Sequence, residues 1–135
     1  MKKSWQEKLN ASVTYEVKPA PKQFADIAEG ELMLLPSAQL IDEYVRAIPQ
    51  GQSRNLTNLR NDLAKETGAD KACPVVSGIF LRVVAEAAME AHDEGTPLAN
   101  ISPVWRILDE KTTAFKRLSS PHADLILHMR QEEEL

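Results

Sequence analysis

A single cysteine, Cys73, stands among 135 residues, so no intramolecular disulfide can staple the fold. Histidine is almost as scarce. His92, His122 and His128 pair neither with Cys73 nor with one another at a zinc-ligand spacing, so no metal site is expected. The five glycines build no phosphate-cradling loop. There is no Gly-x-Ser-x-Gly elbow and no paired-carboxylate signature, which leaves nucleotide and ester hydrolysis without a starting point and implies no cofactor. Long uncharged stretches such as residues 32–41 and 72–81 run about half the length that a bilayer-spanning helix needs. The polar run Ser4-Trp5-Gln6-Glu7-Lys8 directly after Met1-Lys2-Lys3 lacks the apolar middle of a secretory signal. A cytoplasmic protein without a membrane partner is the expectation.

What is present is the balance of one ordinary globular domain, 43% hydrophobic and 27% charged, long enough to bury a core but too short for two. Sixteen basic residues against twenty acidic ones give a net charge of −4, an argument against nucleic acid that the distribution softens. Three of the acids form the terminal run Glu132-Glu133-Glu134. Between Arg46 and Arg82 the bases outnumber the acids six to three, and Lys2, Lys3 and Lys8 make a weaker basic end. Residues 109–119 turn basic toward their end.

Residues 1–36 read as an N-terminal arm, tied down by Trp5, Leu9, Val13, Tyr15, Val17, Phe24 and Ile27, and residues 37–135 as the core of one domain. Within the arm, residues 23–29 read as a short helix stopped by Gly30, and Leu32 to Leu35 as an extended run ended by Pro36. Ser37 is placed to cap a helix whose Leu40, Ile41, Tyr44, Val45 and Ile48 share one face. After the turn Pro49-Gln50-Gly51-Gln52-Ser53, Thr57 caps a second helix with Leu59 and Leu63 inward and Gly68 at its end. Pro74 opens a long core helix. Val75, Ile79, Val83 and Ala87, with Val76, Phe80, Val84 and Ala88, give it an apolar stripe to about Ala91. Residues 103–108 read as a short strand or tight extended turn, and Ser120-Pro121 opens a last helix with Leu125, Ile126 and Met129 inward.

Two residue groups carry candidate chemistry. Cys73, just before Pro74, is a candidate reactive thiol at a helix N-terminus, and equally a small hydrophobe among Ala72, Val75 and Val76. Trp105-Arg106 could stack on a base or clamp an anion, or serve as a core tryptophan with a surface arginine.

From about Leu40 to Arg117 the order of pieces resembles the DNA-binding and reactive domain of the methylated-DNA cysteine methyltransferases and their cysteine-less alkyltransferase-like relatives. Residues 47–54, Ala-Ile-Pro-Gln-Gly-Gln-Ser-Arg, are similar to the family's turn before its helix-turn-helix, and Leu63-Ala64 to its first motif helix. Residues 75–82 fall where the family has its recognition helix. Pro103-Val104-Trp105-Arg106-Ile107 stands where it has Pro-Cys-His-Arg-Val. The resemblance implies a mainly α, winged-helix-like helix-turn-helix domain with a few short strands. It also implies that the alkyl acceptor is replaced by Val104 and its histidine by Trp105, so the repair reaction has neither nucleophile nor base. The arginine that the family inserts into the duplex falls at Val75, and the helix runs on where the family has an asparagine hinge.

The expectation is thus a non-catalytic, alkyltransferase-like protein that binds double-stranded DNA through Arg54, Arg60, Lys65 and Arg82. Pro103, Val104, Trp105 and Arg106 would line a remnant pocket for an alkylated base. The alternative is a small structural or protein-interaction module, with a protein partner or a second copy of itself, that kept the fold without DNA binding. An enzyme using Cys73 is a third reading.

Overall fold

The computed structural model describes residues 3–11 and 13–135. The chain is mainly α with a small sheet. The helices are α1 (Trp5–Leu9), α2 (Ala38–Arg46), α3 (Leu56–Thr67), α4 (Pro74–Asp93), α5 (Thr113–Lys116) and α6 (Ser120–Glu132). The strands are β1 (Glu16–Pro19), β2 (Leu32–Leu35) and β3 (Lys71–Ala72), and two 3-10 turns cover Leu98–Asn100 and Val104–Arg106.

The N-terminal segment, read from sequence as an arm, supplies two of the three strands. β2 lies in the middle, antiparallel to β1 with Glu16 opposite Leu35, and parallel to β3 with Met33 opposite Lys71. A parallel pair needs a long crossover, here made by α2 and α3, so the segment before residue 37 and the helices after it are built into one unit. Leu34 is fully buried and joins the main core, while Ile27 and Met33 join a smaller apolar cluster with Cys73. The tether residues divide: Ile27 is buried, whereas Val13 and Tyr15 remain exposed.

Helix ends follow local chemistry. The Ser37 hydroxyl accepts from the Leu40 amide at 3.1 Å, Gly68 ends α3 at φ +77°, and Pro74 occupies the first turn of α4. The cap of α3 is Asn55 and not Thr57. Asn55 and Asn58 exchange side-chain and backbone hydrogen bonds at 2.8 and 3.0 Å, a reciprocal box that Thr57, one turn position later, has no partner to form. Residues 23–29 are no helix. Phe24 and Ile27 pair across a tight turn with Ala25 at φ +52°, because burying Ile27 in the small cluster requires the chain to reverse there. Residues 103–108 are likewise not a strand: the amides of Ile107 and Leu108 both bond to the Val104 carbonyl, and the turn drives Val104, Trp105, Ile107 and Leu108 inward together.

α4 places Leu81, Val84, Ala85, Ala88 and Met89 in the same core as Ile41 and Val45 of α2, Leu59 and Leu63 of α3, and Ile126 of α6. Its expected stripe is rotated at the N-terminal half. Val75 and Ile79 are 57% and 56% exposed, since no element covers that side of the helix. Among the described residues, no strand follows α4, and no helix is long and apolar enough to cross a membrane.

The end of α6 carries local strain. Glu134 takes φ +59°, with its amide on the Gln131 carbonyl (3.1 Å) and the Leu135 amide on the Arg130 carbonyl (2.9 Å). This is the double-bonded helix stop in which glycine is the usual left-handed residue. Glu134→Gly is expected to stabilise the protein by about 1 kcal/mol, read as a shift of the urea midpoint, because it removes the Cβ penalty and a negative charge from a helix C-terminus.

Candidate nucleic-acid interface

The uncovered side of α4 forms a groove of about 1020 Å³. Val75, Gly78 and Ile79 line its α4 wall, Leu56 and Ala114 add apolar surface from α3 and α5, and Asn55 and Thr57 add polar groups from the start of α3. Lys3, Lys8, Arg82, Lys111 and Arg117 line it as well, with Asp109 as the single acid among the described residues. The Asp109 carboxylate is engaged locally by the Lys111 amide (2.8 Å) and the Thr112 hydroxyl (3.1 Å). The groove is therefore cationic although the chain is acidic.

α1 is held beside α4 by Glu90, whose carboxylate accepts from the amides of Trp5 (3.3 Å) and Gln6 (3.1 Å) and from the Gln6 side chain (3.0 Å). The bonds from Gln6 hold the Glu90 carboxyl below the usual carboxylate range. Ser4 and Glu7 cap the same short helix reciprocally. Trp5, so fixed, lies 4.2 Å from the Lys8 ammonium and 5.0 Å from the Arg82 guanidinium, measured to its ring centre.

The second place where polar side chains converge is the expected remnant pocket, and it is closed. Pro103, Val104 and Trp105 are buried. Arg106 donates from Nε and Nη2 to the two oxygens of Glu133, both at 2.9 Å, and from Nη1 to the Ile48 carbonyl at 2.9 Å. The same carboxylate accepts from Trp105 Nε1 at 2.7 Å and from the Gly51 amide at 3.1 Å. Gly51 presents that amide from a turn at φ +81°. Arg106 above all, against the opposing effect of burial, holds the Glu133 carboxyl down at about 2. Arg130 seals the arrangement by donating to the carbonyls of Trp105 (2.8 Å) and Leu108 (3.1 Å). The anion that Arg106 clamps thus comes from its own chain: within the terminal acidic run Glu133 is engaged while Glu132 and Glu134 are exposed.

No family model, curated protein or solved structure matches this chain. The alkyltransferase resemblance rests on the residues quoted for it.

Of the four bases expected at DNA, only Arg82 lines the groove. Arg60 is a structural tie, donating from Nε (2.9 Å) and Nη2 (2.8 Å) to the Ala72 carbonyl and from Nη2 to Asp26 (2.7 Å). Arg54 bonds Gln52 (2.7 Å) and the Ser53 carbonyl (3.1 Å), and Lys65 is exposed on α3 outside the groove. Lys3, Lys8, Lys111 and Arg117 take their place. Their signal was visible as two weakly basic segments at opposite ends of the sequence, which only the fold brings to one groove. Cys73 precedes α4 but is 4% exposed, within the small cluster of Ala20, Ile27 and Met33. That setting is the one a small hydrophobe occupies.

Proposed function

We propose that this chain is a non-catalytic, alkyltransferase-like DNA-binding protein. In this reading α3 and α4 are the helix-turn-helix pair of a winged-helix-like domain, and the open face of α4 docks on duplex DNA. The observation that carries it is the groove itself: five cations against one locally engaged acid on the free face of the helix in the recognition position, on a chain whose net charge is −4. Binding would be dominated by phosphate contacts, with Val75 and Ile79 meeting the duplex between them. With Val104 and Trp105 in place of a nucleophile and base, binding has no alkyl transfer to follow.

The same exposed Val75 and Ile79 favour a second reading, a protein-interaction module with an apolar docking face. Fluorescence anisotropy of two labelled duplexes, one unmodified and one carrying a methylated guanine, separates the readings. Five phosphate contacts predict about a 500-fold loss of affinity between 50 and 200 mM salt. The two duplexes are expected to bind alike while Glu133 fills the remnant pocket. Preference for the lesion would mean that Glu133 leaves its socket to admit a base, and no binding at low salt would leave the interaction module.

A further inference from the structure

The cations of the groove differ in how far their donors are already engaged. We infer that Lys8 and Arg82, gathered over the ring of Trp5, form a phosphate clamp for the duplex backbone; the inference rests on the DNA reading above. Two like charges drawn to one indole repel each other, and the structure leaves them short of acceptors. Lys8 has no carboxylate within ion-pair distance among the described residues. Arg82 meets only Glu86, through Nη2 at 3.4 Å, while its Nε is buried without a hydrogen-bond partner. Of the nearby acids, Glu90 is engaged by the Trp5 and Gln6 amides and the Gln6 side chain, and Glu7 by the Ser4 amide.

The Lys8 ammonium and the outer Nη1 of Arg82, which has no hydrogen-bond partner among the described residues and is not buried, are donors that an anion completes. The oxygens of the backbone phosphates supply those acceptors. Trp5 acts as a positioning residue: its ring attracts both cations and holds each within 5.0 Å of its centre, reducing the side-chain freedom lost on binding. Glu90 is a positioning residue one step removed, because its contacts with the α1 backbone set where the indole lies. The α1 helix thereby brings a contact to the groove that α4 alone lacks.

The test is the salt dependence of duplex binding by the full chain, read by anisotropy. Lys8→Met keeps an unbranched stem against Trp5 and removes the charge, and Arg82→Gln removes the second cation. Each is expected to lower the magnitude of the slope of log K against log salt by about 1, whereas Lys18→Met, on exposed β1, leaves it unchanged. Trp5→Phe, with a weaker ring field, is expected to weaken binding several-fold with the slope retained. Urea midpoints identify any variant that fails to fold. Folded Lys8→Met and Arg82→Gln proteins with the wild-type slope overturn the clamp while the DNA reading stands, and failure of the wild-type protein to bind overturns both.

Discussion

Replacing Glu133 by alanine is expected to destabilise the protein by about 3–5 kcal/mol, the range for breaking a buried ion pair by removing one partner. The Glu133 side chain is 5% exposed and its carboxylate is the shared acceptor of the Gly51 amide, the Trp105 indole and the Arg106 guanidinium. Its loss strands three donors, one of them charged, at the meeting point of the Pro49–Gly51 turn, the Val104–Arg106 turn and the end of α6. Arg106→Met in the same background is expected to recover part of the loss, because no uncompensated charge then remains; urea denaturation of the two single variants and the double variant measures that coupling. Acid has the same target. The folded Glu133 carboxyl titrates at about 2, below its ordinary 4.5, so its contribution is fully present above about pH 4.5 and is lost as the pH falls toward 2. The shift corresponds to roughly 3 kcal/mol. Wild-type stability is therefore expected to fall across that window more steeply than that of Glu133→Gln, which cannot ionise. Parallel acid-titration profiles would refute the socket as a source of stability.

Two acidic residues on the free face of α4 should have the opposite profile, a loss of binding with little loss of stability. Val75→Glu/Ile79→Glu changes side chains that are 57% and 56% exposed, so the expected change in unfolding free energy lies within about 0.5 kcal/mol per site. Glutamate at Val75 lies in the first turn of α4, where a negative charge favours the helix. Against DNA, the same charges face phosphates and oppose Lys3, Lys8, Arg82, Lys111 and Arg117. The double variant is expected to bind duplex at least about 100-fold more weakly at 0.1 M salt, equivalent to about 2.7 kcal/mol. Val75→Lys/Ile79→Lys should strengthen binding at the same salt. Anisotropy checks both, and an unchanged affinity in the glutamate variant would place DNA elsewhere on the molecule.

Much of the architecture was legible locally. Ser37, Gly68, Pro74 and Pro121 mark helix ends because capping hydrogen bonds, left-handed backbone and the missing proline donor act within one turn of chain. The apolar run Leu32 to Leu35 reads as a strand for a similar reason. The turn at Phe24 to Ile27 was not legible, since its conformation follows from where Ile27 must be buried. Periodicity placed Val75 and Ile79 on one face of α4 but carried no information on what covers that face.

The sequence by itself determined a mainly α chain and the main helix starts and stops. Tertiary structure decided which charges are free. Arg60 and Asp26, 34 residues apart, are tied together, and Glu133 crosses 82 residues to reach Gly51, while Lys8 and Arg82 are gathered at one ring and Lys111 and Arg117 reach the same groove. Helix caps are contacts between near neighbours in the chain, which the order of residues encodes directly. Whether a charged side chain is engaged or available depends on partners that only the packing of distant segments brings within hydrogen-bond reach.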